Sequence, residues 1–314
     1  KKSISYLTIS ADKNCAIAPK NLGFIYLNKK YEDYDIQKAV HYLLLAAKNG
    51  IPDAQGALGV IYLQGLDVPQ DIHKALEYLH LSAENRYRLS QQILGDLYFE
   101  GRVVGRNVSK SIYYYKEALI TNNERIKNNL AVIYKNGFGG IKKNVELAKI
   151  YLEEAIQQKK CAVSMFNLAK IYYFEEEEKG IKMHNKSIQL LIMSANSKLD
   201  LSITFLFMLL LKRFKVINSI IIEKELKKAN IESQQLADSL YEKYLFLSPL
   251  LHNEDTFENA YDFMKTYDLI FINEKVCFSN QFIMDKQKEP TEQVKQLIKI
   301  NDGFYEGFGN DLCP

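Results

Sequence analysis

The sequence has no tryptophan, and only six prolines and fifteen glycines in 314 residues. So little proline and glycine sets aside disordered and collagen-like chains. The 21 Tyr and 16 Phe supply the packing bulk that Trp would otherwise give. An excess of one charge is also lacking: 41 basic residues face 38 acidic ones, for a formal net charge of +3. That balance leaves no electrostatic footprint for nucleic acid, and none is expected as a partner. Cysteine is scarce. Cys15, Cys161, Cys277 and Cys313 show no CxxC spacing, so free thiols in a reducing compartment are expected, not a disulfide framework. The longest apolar run, Leu201 to Leu211, is only 11 residues and stops at Lys212-Arg213. A bilayer span needs about 20 residues, so this run reads as a buried helix, and no membrane span is expected. The chain starts Lys1-Lys2 without Met, which reads as a trimmed product; an upstream signal peptide stays open.

What the sequence does have is a period. Gly23, Gly59, Gly95 and Ala131 are spaced 36 residues apart, and so are Tyr26, Tyr62, Tyr98 and Tyr134. After a two-residue insertion, Ala169 and Tyr172 continue both columns. Such a period marks a stacked array of repeats. Each repeat reads as two antiparallel helices, A and B. In helix A, Ala54, Leu58, Ile61 and Tyr62 share one helical face; in helix B, Ile72, Ala75, Leu76, Leu79 and Ala83 do the same. Two more small columns follow in helix B: Ala39, Ala75, Ser111, Ala148, Ser187, and then Ala46, Ser82, Ala118, Ala155, Ser194. Large residues fill the gaps, at Tyr42, Tyr78, Tyr114, Tyr151 and Leu190. Gly65, Gly101 and Gly137 stand where a helix ends in a left-handed residue. Asp35, Asp71, Asn107 and Asn144 are placed to cap the next helix. Val68, Val104 and Ile141 plug the loop between.

The pattern A-x-x-x-L-G-x-x-Y-x-x-G, a loop ending V-x-x-D/N, then K-A-x-x-Y-x-x-x-A-A resembles Sel1-like repeats, relatives of tetratricopeptide repeats. Repeat two carries it best, through Ala54, Leu58-Gly59, Tyr62, Gly65, Val68, Asp71, Lys74-Ala75, Tyr78 and Ser82-Ala83. The resemblance covers residues 19–198 as five repeats. It implies an all-α fold, a right-handed superhelix of five to six helix pairs with a helical C-terminal extension. Residues 1–18 form a lead-in, 199–230 a degenerate sixth repeat or cap, and 231–314 the extension. Further helices are expected at 215–229, 232–247, 255–268 and 291–300, while 271–282 stays ambiguous.

Reaction chemistry is sparse. His41, His73, His80, His184 and His252 are scattered, without the spacing of metal ligands. Gly137-Phe138-Gly139-Gly140 follows a helix, not a strand, and so reads as a filled repeat loop and not a phosphate loop. Glu175 to Glu178 reads as a solvated loop or a contact for a basic partner. No catalytic residue, cofactor or metal is expected.

The resemblance implies a non-enzymatic scaffold that holds another protein in a concave groove lined by the A helices. Family members act as adaptors in endoplasmic-reticulum quality control, in signalling and in intracellular bacteria that manipulate host cells. A cytoplasmic location follows, or the cytosol of a host cell, with the endoplasmic-reticulum lumen as the alternative; a monomer is favoured. By analogy with tetratricopeptide repeats, helix A positions three before the small column, and one, four and five after it, face inward. These are Asn28, Gln64, Gln92, Asp96, Phe99, Glu100, Asn128, Lys135, Asn136, Lys170 and Tyr173. A second reading is a regulator of one specific enzyme, using the groove together with the C-terminal extension. The groove reading predicts that charge reversal at Lys135 together with Lys170 weakens partner capture and moves the thermal midpoint by no more than a few degrees.

Overall fold

The computed structural model describes residues 2–12, 15, 17–65, 67–119, 123–178, 185–197, 199–214, 217, 219–228, 234–266, 268–272 and 275–278. The chain divides into two compact units, Lys1–Thr121 and Asn122–Gly307. The first holds α1 (Lys2–Asp12), α2 (Ile17–Leu27), α3 (Ile36–Lys48), α4 (Pro52–Gln64), α5 (Ile72–Glu84), α6 (Arg88–Glu100) and α7 (Val108–Ala118). The second holds α8 (Glu124–Asn136), α9 (Val145–Lys159), α10 (Ala162–Glu178), α11 (Asn185–Asn196), α12 (Asp200–Phe214), α13 (Ser219–Lys228), α14 (Gln234–Leu251) and α15 (Glu254–Thr266). It also holds an antiparallel hairpin of β1 (Leu269–Ile272) and β2 (Lys275–Phe278), in which Leu269 pairs with Phe278 and Ile272 with Lys275. Within the units, α2·α3, α4·α5, α6·α7, α8·α9 and α10·α11 are the closest helix pairs. The fold is therefore an all-α helix-pair solenoid with one small hairpin. The expected helix at 291–300 lies outside the described residues. Within the ambiguous stretch 271–282, residues 271–272 and Lys275–Phe278 are strand and 273–274 and 279–282 lie outside the described residues, so the extension is not helical throughout.

The helix ends follow from their own residues. Asp35, Asp71, Asn107 and Asn144 each take an extended conformation and accept the backbone N–H three residues on, at 2.9–3.0 Å. A cap of this kind is worth about 1 kcal/mol. Gly65, Gly101 and Gly137 close α4, α6 and α8 with φ of 66°, 75° and 72°, a region that side chains disfavour. The loop after α8 forms a 3-10 turn over Phe138–Gly140.

The small columns are where the two helices of a repeat touch. A Cβ on Gly59 would lie 2.6 Å from Leu79 Cγ, and one on Gly23 just 2.6 Å from Leu43 Cγ. In repeat three the opposing residue is Tyr115, whose ring would stand 2.6 Å from a Cβ on Gly95. Beside this contact the two tyrosine columns stack ring on ring. Tyr26 on Tyr42, Tyr62 on Tyr78, Tyr98 on Tyr114 and Tyr134 on Tyr151 all have centroids 5.8–6.1 Å apart and planes within 15°. The lysine that opens helix B covers the first ring of the pair: Lys38 lies over Tyr26, Lys74 over Tyr62 and Lys110 over Tyr98, at 5.0–5.5 Å. Serines of the third small column add polar ties. Ser82 Oγ donates to the Pro52 carbonyl at 2.6 Å, and Ser194 Oγ to that of Ala162 at 2.7 Å.

In the second unit the apolar run Leu201 to Leu211 is buried throughout, inside α12. It packs against α11, α14 and α15. No helix among the described residues is long and apolar enough to cross a membrane.

Replacing Gly59 with Val drives a side chain into Leu79 and the Ala75 carbonyl. Overpacking of this kind costs roughly 1–3 kcal/mol. We expect a lower urea midpoint with an unchanged far-UV circular dichroism spectrum at zero urea.

Candidate functional site

Asn128, Lys135 and Asn136 lie at i, i+7 and i+8 on α8, and Asn167 and Lys170 at i and i+3 on α10. Helical periodicity places each set on one face, and both faces meet strand β1. There the chain's own Asp268 and Leu269 fill the space between them.

The Asp268 carboxylate is fully buried. Its Oδ1 accepts from Lys135 Nζ at 2.7 Å and Lys170 Nζ at 3.0 Å; its Oδ2 accepts from Lys135 Nζ at 2.8 Å and Asn136 Nδ2 at 2.9 Å. These four hydrogen bonds from three donor groups use both carboxylate oxygens. The next residue is held by its main chain. Asn167 Oδ1 accepts from the Leu269 N–H at 3.0 Å, while Asn167 Nδ2 donates to the Leu269 carbonyl at 2.7 Å. Asn128 Nδ2 donates to the same carbonyl at 2.8 Å, and Asn128 Oδ1 accepts from Asn167 Nδ2 and Ser164 Oγ. Asn167 thus pairs with both main-chain groups of one extended residue.

Burial alone would raise the Asp268 carboxyl, but Lys135 and Lys170 outweigh it and hold the group well below the usual carboxylate range. Two ammonium groups share this one carboxylate. Lys170 is fully buried, and burial pulls it down to about 8 against the opposing pull of Asp268.

A second tie lies further along α10. Tyr261 of α15 donates to the Tyr173 hydroxyl at 3.3 Å, within reach of Glu177. Lys212 of α12 binds Glu177 at 3.0 Å and lies over the Tyr261 ring at 4.1 Å. Burial, then the hydrogen bond with Tyr261, raises Tyr173 above its ordinary value.

A family model described as Sel1 repeat matches residues 20–51, 52–87, 88–119, 127–160 and 162–198, more than half of the chain. The chain belongs to the Sel1 repeat family. Among solved structures it is similar to c5321, a protective antigen present in uropathogenic Escherichia coli strains and displaying an SLR fold, with 25% identity and a TM-score of 0.63. The match covers 82% of this chain but 50% of that one, so the chain spans half the length of c5321. A Sel1 repeat protein from Oxalobacter formigenes is similar at 20% identity and a TM-score of 0.56, over 75% of this chain and 89% of that one. The second likeness shows the fold alone. No curated protein sequence matches. Sel1 repeat proteins are in general protein–protein interaction scaffolds.

Within this Sel1 array the expected groove residues divide. Asn128, Lys135, Asn136 and Lys170 converge on one site, which the chain itself occupies. Tyr173 is buried against Tyr261. In the first unit Gln64 is exposed, Gln92 and Asn28 are half-buried, and Asn28 Oδ1 accepts the Lys30 N–H at 2.9 Å. Glu100 pairs with Arg102 at 3.1 Å. Asp96 and Phe99 do not face an open groove, and each is only 2% exposed. Tyr115 replaces the leucine of repeats one and two, and its longer side chain reaches Asp96 Oδ1 at 2.6 Å; Arg106 lies over the Phe99 ring at 5.3 Å.

Among the other sequence candidates, His184 lies outside the described residues. His80 sits between the hydroxyls of Tyr114 at 3.0 Å and Tyr98 at 3.4 Å. Among the described residues no group of three His, Cys, Asp or Glu could hold a metal. The acidic run spends Glu175 on Lys149 at 2.7 Å and Glu177 on Lys212. Sequence reasoning missed Asn167, Ser164, Asp268, Leu269, Tyr261 and Lys212. The one available signal was Asp268 itself, a lone carboxylate inside the apolar run YDLIFI.

The expectation that reversing Lys135 and Lys170 leaves the thermal midpoint nearly unchanged does not survive this geometry. Lys170→Glu sets a second carboxylate against buried Asp268. Breaking a buried pair costs roughly 3–5 kcal/mol, so we expect a large fall in urea midpoint. Asp268 has a folded value below its ordinary 3.8. Its stabilisation is therefore present above that pH and is lost as pH falls toward the folded value. Urea midpoints measured from pH 7 to 2.5 should fall in the wild type below about pH 4, and Asp268→Asn should lack that part of the slope. Equal slopes contradict the assignment.

Proposed function

We propose that the protein is a non-enzymatic scaffold that holds a partner protein on the faces of its A helices. One observation carries the reading. The inner face of α8 and α10 grips extended main chain through Asn128 and Asn167 and a side-chain carboxylate through Lys135 and Lys170. A surface that pairs with both main-chain groups of one residue is built to recognise polypeptide. In the first unit the corresponding face presents Asn28, Gln64 and Gln92. Residues 199–230 close the array as a degenerate sixth repeat; Phe207, in the small column, is filled in by the Tyr244 ring at 5.5 Å. A reducing compartment, the cytoplasm in the simplest case, fits the unbridged Cys15 and Cys161.

A second reading, regulation of one specific enzyme, is favoured by the docking of α15 and β1 on α10. Any partner that reaches Lys170 meets the extension too. Phe246 on α14, 83% exposed, offers that partner an apolar anchor.

Affinity capture with the full chain from its native cell, read by mass spectrometry, tests both. We expect a reproducible partner whose recovery drops at least about tenfold with Gln64→Arg plus Gln92→Arg, a loss of 1.4 kcal/mol or more. A partner indifferent to that pair but lost with Phe246→Asp points to the regulator. The absence of any reproducible partner removes both readings.

A further inference from the structure

The strap from α15 to β1 behaves as a ligand of the repeats it crosses. Its recognition has three parts. A carboxylate meets two ammonium groups and an amide. The following residue pairs its N–H and C=O with Asn167, and Asn128 adds a second donor to the carbonyl. The side chain of that residue, Leu269, is fully buried. All of the donors come from helix A positions of repeats four and five, and the occupant is 98 to 141 residues away from them in sequence. The repeats therefore present a formed site, and the extension supplies what enters it.

We propose that the inner face of α8 and α10 is a clamp for an extended acidic segment, in which a carboxylate side chain precedes an apolar residue, and that Asp268–Leu269 is its internal occupant. A partner protein carrying such a segment enters by displacing the strap. The proposal rests on the scaffold reading and sharpens it, because it names the chemistry of the partner and explains why the site is covered in the isolated chain. A tethered occupant acts at an effective concentration of the order of millimolar, so a competing segment binds well only when it makes further contacts or when the strap is weakened.

The test uses the full chain and a fluorescein-labelled peptide of residues 262–270 (DFMKTYDLI), read by polarisation. The peptide should bind Asp268→Ala at least about tenfold more tightly than wild type. Adding Lys135→Ala to that variant should abolish binding, and a peptide with Ala in place of its Asp268 equivalent should not compete. Equal binding to wild type and Asp268→Ala, or binding to neither, overturns the clamp. Should Asp268→Ala fail to fold, Asp268→Asn takes its place, with the same order of affinities expected. The wild-type chain gives an arm that needs no variant: excess unlabelled peptide should speed hydrogen exchange at the Leu269 amide, and exchange unaltered at millimolar peptide overturns the proposal. The two readings fail separately. A captured partner with no peptide binding leaves a scaffold without this clamp; peptide binding with no captured partner leaves the clamp and removes the scaffold.

Discussion

Each repeat depends on one close approach, that of a helix B side chain into the gap left by a small residue on helix A. Leu43 against Gly23, Leu79 against Gly59 and Tyr115 against Gly95 are the three instances in the first unit. The gap sets how near the two helices can lie, and that distance brings Tyr26, Tyr62, Tyr98 and Tyr134 into stacking range of their partners. Aromatic pairs at such offsets add about 0.5–1.5 kcal/mol beyond their buried area. The lysine over each stack and the capping Asp or Asn follow from the same register. A change at the glycine is therefore felt by several other columns.

The period made these features legible. Gly65, Asp71 and Tyr78 could be given roles because a residue 36 positions away had the same one. Roles that occur once had no such support. Tyr115 occupies a column that is otherwise leucine, and its hydroxyl donates to buried Asp96. The strap is a harder case. Asp268 lies 133 residues from Lys135, beyond any repeat, and nothing periodic links them. The inward position of Lys135 and Lys170 could be read from helix geometry. What stood opposite them could not, because it depends on how a non-repeating extension folds back.

The buried cluster shows how a solenoid can carry charge in its interior. An isolated ammonium there would be costly, and two would be worse. One carboxylate that accepts from both ammonium groups and from Asn136 makes the arrangement tenable, while burial loosens the hold of Lys170 on its proton. The hydrogen bonds of Asn128 and Asn167 serve a different end, because they satisfy the main-chain N–H and C=O of Leu269, a buried residue that lies in no helix and at the very start of a strand.

Those two amides address atoms that every residue shares. Over evolutionary drift, position 269 can exchange one apolar side chain for another with its hydrogen bonds intact. Position 268 has no such latitude, since its grip lies in the carboxylate itself. The strap thus carries one interchangeable site and one fixed site side by side, and a lineage could retune the fit of the first without losing the anchor of the second.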